Sequence, residues 1–515
     1  MMLRIVTAAA VLSIHLVGCT EPEHLKEGTI RQSVVSDCPF SQPTVPIDPS
    51  REMLIRSRAV VDDPCRTTWN TDCPAETRGK WTFGRLMTVM SGATDETSVV
   101  ARQFVGRWLN FWLHDQTIPE DNVPVRARGN IRAALLDRWL ADSHCPIGTD
   151  PAICPLDLKA APFRLLAIVN RIDMAGGLDT ATGGPSPGEL RFVFGAYNKT
   201  SPSLDPVLAT VILEYRFPST YTSLQWATLL HGLSAVDLPA SPATGTDTTL
   251  FASQLQLITN LVVEPNAQAG NPSNGSTIAH VRTSEIAFDP TPDPDAQWEF
   301  RQFGLSCACI LCQLIQTPVS QTPPTRANPT PDIPINSVSD FIVAHQVEIL
   351  ALRHIVPTSM LGGSSLSPSP DSTDPVIWAA APNPLPVPDP MALSPSDYDA
   401  ALRFRALVRH NFAISTCNGC HGIETNNTNQ LFHIAPRGAT TTSTLSSFVG
   451  LLSPLQSDDG HQATNSVAVT DPASTFDGLG SPIEFLYNEP WRRSCEIRRI
   501  LDGGTVAFTA ATGHN

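Results

Sequence analysis

The sequence predicts an α+β fold, with a large mixed domain over residues 51–361 and a small, mainly α-helical C-terminal domain over 397–515. Three observations predict it. Val207, Ala209, Val211, Leu213, Tyr215 and Phe217 alternate with Thr210, Glu214 and Arg216, which is the two-residue period of a strand. Phe163 to Ile172 is an almost unbroken apolar run, as expected of a buried strand. Val100, Phe104, Trp108 and Trp112, joined by Val105 and Leu109, recur at the spacing of one helix face. Strands in runs between helices favour α+β over a doubly wound sheet.

The remaining elements follow the same signals. Ile131, Leu135, Leu136, Trp139 and Leu140 mark a second amphipathic helix. A strand fits Glu189 to Tyr197, and helices fit Tyr221 to Val236 and Thr249 to Val262. Further strands fit Ile278 to Asp289 and Trp298 to Leu305, and a helix fits Val338 to Ile355. Residues 362–396 hold Pro368, Pro370, Pro375 and five more prolines from Pro382 to Pro390, which predicts an extended linker. Beyond it, Ala401, Leu402, Phe404, Leu407 and Val408 predict a helix over Tyr398 to Phe412.

The N-terminus carries an export signal. Met1 to Arg4 is short and weakly basic, and Ile5 to Leu16 is apolar apart from Thr7, Ser13 and His15. That length suits a signal peptide's apolar core and is too short to span a bilayer. It ends in Leu16-Val17-Gly18-Cys19, which resembles the bacterial lipobox. The resemblance implies removal of residues 1–18, a lipid on the Cys19 sulfur, and a tether over residues 19–50. An ordinary signal peptide with an incidental cysteine is the alternative. The expected location is the cell envelope, lipid-anchored to a membrane, the outer membrane foremost.

Composition narrows the partners. A net charge of −15 argues against nucleic acid and against attraction to anionic lipid. Twelve cysteines suit an oxidising compartment. Cys65 with Cys73, and Cys145 with Cys154, flank short polar loops and read as local disulfides. The pairing of Cys38, Cys307, Cys309, Cys312 and Cys495 is left open.

The chemical motif is Thr416-Cys417-Asn418-Gly419-Cys420-His421. Cys417-x-x-Cys420-His421 resembles the haem-attachment motif of c-type cytochromes, and a helix directly before it resembles the start of a small cytochrome c. The resemblance implies one covalent haem c, thioether bonds from Cys417 and Cys420, and His421 as the proximal iron ligand. It also implies a cytochrome c-like domain, electron transfer or a haem-linked oxidation, and a redox partner protein. No Met follows Met391. His433, within Leu431-Phe432-His433-Ile434, is therefore the candidate distal ligand ahead of His461 and His514.

Two other chemistries compete for the same residues. Cys417, Cys420 and His433 have the first three spacings of a zinc finger, with no fourth ligand at Arg437, Gly438 or Ala439. A haem-free disulfide or thiol pair is the second, within a binding or structural surface lipoprotein, although such motifs prefer to open a helix after a strand. Asn170-Arg171-Asp173 reads as a salt-bridged strand end, and His114-Asp115-Gln116 as a helix C-terminus. The wider pattern resembles an uncharacterised group of lipoproteins from myxobacteria and similar soil bacteria, through Pro162 to Asp173, Glu189 to Tyr197 and Thr416 to Arg437. That resemblance implies no activity.

Overall fold

The computed structural model describes residues 30–33, 46–118, 124–176, 186–201, 203–247, 249–265, 267–268, 277–289, 297–308, 311–324, 335–367, 385, 388–389, 391–427, 431–450, 467–470 and 483–504. Cys19, Cys38, Cys309, His461 and His514 lie outside them, as does most of the proline-rich stretch.

The fold is α+β, organised on one antiparallel sheet. Its strands are β2 (Leu54–Ile55), β5 (Phe163–Arg171), β6 (Glu189–Tyr197), β7 (Pro206–Arg216), β8 (Ile278–Glu285), β9 (Trp298–Ala308), β10 (Leu311–Thr317) and β11 (Ser365–Ser367). They run in the order β10-β9-β8-β7-β6-β5-β2, with β11 alongside the first residues of β9. The predicted strands stand within a few residues of their expected places. The additional strand β10 forms a hairpin with β9, closed by a Cys307–Cys312 disulfide. The expected Cys65–Cys73 and Cys145–Cys154 disulfides are present, and Cys495 is also disulfide-bonded. A two-stranded ribbon joins β3 (Gln116–Thr117) to β4 (Pro124–Val125).

Helices cover the first face. They are α1 (Arg58–Val61), α2 (Phe83–Met90), α3 (Val99–Leu109), α4 (Asp137–Asp142), α5 (Ser223–His231) and α6 (Leu250–Val263). The tryptophans predicted to line one helix face are core: Trp108 and Trp112 pack edge-on to each other and against Phe303 of β9. Ala209, Val211, Leu213 and Tyr215 of β7 face the same layer. Thr222 caps α5 through a capping box with Gln225, and Thr249 caps α6.

The second face is covered as well, by the C-terminal part of the chain. This layer holds α7 (Ile335–Ala344), α8 (Gln346–Leu350), α9 (Pro395–Ile414), α10 (Cys417–Cys420) and α11 (Ser447–Gly450), whereas α12 (Glu489–Leu501) packs against α5 and the main core. The single helix expected over Val338 to Ile355 is two, α7 and α8, broken at His345. The layer also holds a three-stranded sheet in which β13 (Ile483–Tyr487) lies between β1 (Ile30–Ser33) and β12 (Val467–Thr470). The described C-terminal elements thus mix helix and strand where a mainly helical unit was expected. Residues of both parts share cores: Cys417, Leu431 and Ile434 pack with Leu166, Val169, Val193 and Ile212 of the sheet, and Ile497 and Ile500 join the main core.

This double coverage explains a pattern the strands alone leave puzzling. Arg191, Glu214 and Arg282 alternate with the apolar positions of β6, β7 and β8, yet all three are buried. They neutralise one another: Arg191 to Glu214 is 3.2 Å and Arg282 to Glu214 is 3.3 Å. At the end of β5, Arg171 pairs with Asp173 at 3.0 Å, the expected salt-bridged strand end. Asp173 also binds Arg492 of α12 at 3.1 Å, which ties that helix to the sheet.

Candidate functional site

The motif sits against the charged face of the sheet. Helix α9 runs for 20 residues, started by Ser394, whose hydroxyl accepts from the Asp397 N–H. It stops at Ser415, and Thr416 opens the next turn by accepting from the Gly419 N–H at 3.1 Å. This places Cys417 and Cys420 on one short turn, α10, with His421 as the residue that caps its end. The chain turns so tightly here that a Cβ on Gly419 would lie 2.0 Å from the Ala413 carbonyl oxygen. Only glycine fits that approach.

All three motif residues are buried, and neither Cys417 nor Cys420 is in a disulfide. The Cys417 N–H donates to the Thr322 hydroxyl at 3.0 Å, fixing the turn to the segment after β10. Burial pushes the Cys417 thiol up and the Cys420 thiol well above the usual thiol range.

His421 lies flat on Trp298, with ring centroids 5.0 Å apart, and beside Phe300 at 5.5 Å. Its Nδ1 is 2.7 Å from the Leu431 carbonyl oxygen. A carbonyl only accepts, so Nδ1 carries the proton and Nε2 carries the lone pair. Burial lowers the His421 pKa to about 4, so the ring is neutral at physiological pH. A neutral imidazole whose far nitrogen is held by a backbone carbonyl is how proteins prepare a histidine for metal ligation.

His433 is brought to the motif as well. Its ring centroid is 4.5 Å from that of His421, its Nε2 is 3.1 Å from the Cys420 sulfur, and its Nδ1 is 2.7 Å from the Ser446 hydroxyl. The two imidazoles touch side by side. Two rings sharing one metal ion stand farther apart, because each metal–nitrogen bond is about 2 Å. Among the described residues, no three His, Cys, Asp or Glu side chains are set to hold a metal ion, so the zinc-like spacing of Cys417, Cys420 and His433 does not become a ligand cage.

The surroundings are polar in places where polarity is costly. Asn418, between the two cysteines, is fully buried, and neither its Oδ1 nor its Nδ2 has a hydrogen-bond partner among the described residues. The Ser364 and Ser365 hydroxyls, on and beside β11 where it packs against the motif turn, are likewise buried without one among the described residues. Such groups ordinarily have partners. The two thiols, the neutral His421 ring and these polar side chains are thus gathered in one buried place.

Comparison with protein families, with curated proteins and with solved structures finds no match. The site therefore rests on its geometry alone.

Sequence reasoning named Cys417, Cys420, His421 and His433, and the structure places them together. It missed Trp298 and Phe300, which support His421, and Ser446 and Thr322, which hold His433 and Cys417. These are long-range contacts with no local signature. Arg191, Glu214 and Arg282 did leave a signal, charges in the middle of strands, and Arg282 lies over the Phe300 ring at 6.0 Å from its centroid. The helix expected to end at His114-Asp115-Gln116 stops earlier: α3 ends at Leu109, a short turn closes at Trp112, and His114 and Asp115 are exposed in the loop before β3, with Asp115 accepting from the Ala127 N–H.

Proposed function

We propose that this chain is a cell-envelope lipoprotein, lipid-anchored through Cys19 to the outer membrane, that carries one covalently attached haem c. Electron transfer or a haem-linked oxidation is its role, and a redox protein is the expected partner. The observation that supports it most is the state of His421: buried, neutral, and committed through Nδ1 to the Leu431 carbonyl, beside two thiols outside any disulfide. In this proposal Cys417 and Cys420 supply the thioether sulfurs and His421 supplies Nε2 as proximal ligand. The haem would supply a one-electron couple. Trp298 and Phe300 orient the His421 ring, and the Thr322 hydroxyl holds the turn. His433 is the candidate for the second side of the iron, and its ring must part from His421 to serve there. The C-terminal layer as a cytochrome c-like unit belongs to the same proposal, supported by the order of helix and motif.

A second reading has one observation in its favour. Cys420, His433 and Ser446 form a thiol–imidazole–hydroxyl chain at 3.1 and 2.7 Å, the geometry of an activated thiol. Burial favours the neutral thiol over the thiolate, which weakens a reactive role and leaves a haem-free structural pair.

A haem-stained denaturing gel separates the two. Protein exported alongside a cytochrome c maturation system should stain near the mature mass, because thioethers survive denaturation. The Cys417→Ala/Cys420→Ala variant should not. Absence of stain in the wild-type protein would leave the haem-free thiol pair.

A further inference from the structure

We propose that Cys38 is the disulfide partner of Cys495, so that a covalent staple joins the segment after β1 to α12. The proposal rests on the export reading above, which supplies the oxidising compartment.

Cys495 is buried and disulfide-bonded, yet its partner is not among the described residues. Cys65 pairs with Cys73, Cys145 with Cys154 and Cys307 with Cys312, while Cys417 and Cys420 are in no disulfide. The cysteines that remain are Cys19, Cys38 and Cys309.

Distance excludes Cys309. Cys495 follows Ser494, whose hydroxyl lies 3.3 Å from the sulfur of Met53, the residue before β2. Cys309 follows Ala308, the last residue of β9. In the main sheet β9 stands five places from β2, about 24 Å at ordinary strand spacing. A disulfide joins Cα atoms no more than about 7 Å apart.

Direction disfavours Cys19. Strand β1 runs parallel to β13, with Ile30 opposite Ile483 and Ser33 opposite Leu486. The Cys19 side of β1 is therefore the end away from α12, which begins at Glu489. The lipobox resemblance also gives that sulfur to a lipid.

Cys38 lies on the favoured side. The chain leaves β1 at Ser33, beside Leu486 and so just before α12. It re-enters the described fold at Pro46, and the turn Pro49–Met53 packs against α12. Cys38 falls in the stretch between these two anchors, five residues beyond Ser33, a reach of at most about 18 Å. From Glu489 to Cys495 the helix advances only about 9 Å. The segment that carries Cys38 is thus fastened at both ends to the unit that carries Cys495.

Forming the bond takes one hydrogen from each thiol. The two electrons and two protons pass to a disulfide-bearing oxidant, which leaves as a dithiol. The staple reinforces a short strand pairing, since β1 meets β13 through four residue pairs. It also closes a very long loop, which in the chain-entropy account restricts the unfolded chain most.

The test maps disulfides in the exported full chain. Free thiols are blocked with iodoacetamide in urea, the unreduced protein is cut with trypsin, and linked peptides are read by mass spectrometry. Cleavage after Arg31, Arg51, Arg493 and Arg498 should release residues 32–51 joined to residues 494–498, and reduction should part them. Cys38→Ser should leave Cys495 open to the blocking reagent and lower the thermal midpoint by several degrees, with the Cys65–Cys73 bond intact. If that variant does not fold, the wild-type map decides alone. Residues 494–498 joined to residues 302–326, or Cys495 blocked as a free thiol beside an intact Cys65–Cys73 bond, would overturn this inference by itself. Residues 494–498 joined to a peptide that contains Cys19 would sink it together with the lipid on that sulfur. A chain with every cysteine blocked would sink it together with the export reading.

Discussion

At the scale of single residues, the site turns on small distances. Gly419→Ala would push a methyl into the Ala413 carbonyl, so α9 and the motif turn must separate. Overpacking of this kind costs about 1–3 kcal/mol. The expected outcome is a lower midpoint in urea denaturation and a smaller yield of haem-bearing protein, with Cys417 and Cys420 still present. If the chain carries the proposed haem, His433→Ala tests His433 as its second ligand. The expected spectrum changes from low-spin to high-spin while the covalent haem is retained on a denaturing gel. A low-spin spectrum identical to wild type would remove His433 from the iron and leave it as the partner of Cys420. Sequence reasoning reached these residues because cysteine and histidine spacing is local. It did not reach the Leu431 carbonyl or Trp298, because a tautomer is set by whatever the fold carries to the ring.

At the scale of elements, the turn over Pro49–Met53 shows how a buried acid couples to pH. Glu52 accepts from the Asp48 N–H at 2.8 Å and meets His231 of α5 at 2.8 Å. Burial raises its pKa to about 7, against the lowering effects of the Asp48 N–H and His231. The carboxyl thus binds its proton more tightly in the folded chain than in the unfolded one. The resulting stability is fully present below about pH 4.5 and is lost as pH rises through about 7. It amounts to at most about 3 kcal/mol. Urea midpoints measured from pH 5 to pH 8 should therefore fall, and Glu52→Gln should flatten that part of the profile. Strands β5 to β9 and helices α3, α5 and α6 were legible as elements because each keeps its period over two or more turns or pleats. The helix α12 and strand β13 were not. Trp491, Arg493, Cys495, Glu496 and Arg498 bury polar and apolar side chains around the whole helix, which erases the one-sided pattern.

At the scale of the whole molecule, the two layers share cores, so the C-terminal part is expected to unfold together with the sheet. Calorimetry should show one dominant transition, and a chain ended at Ser394 should be insoluble, because Leu166, Val169, Val193 and Ile212 would lose their cover. Two well-separated transitions, with a soluble truncated chain, would show that the layers fold independently. The sequence pattern suggested beads on a string, since a proline-rich stretch lies between the parts. Besides the shared cores, polar contacts that no local window contains hold them together: Arg492 on Asp173, and Arg437 on Asp62 and the Leu165 carbonyl. The pairing of β1 with β13 has a further meaning. Ile30 stands opposite Ile483, so β1 waits for a strand about 450 residues later in the chain. Under the proposed export, a chain threaded N-terminus first through a secretion pore would leave β13 behind until the residues between β1 and β13 had crossed. The small sheet could then close only on the far side. Cys417 and Cys420 would arrive there before β13, reachable by enzymes that modify thiols until β13 followed.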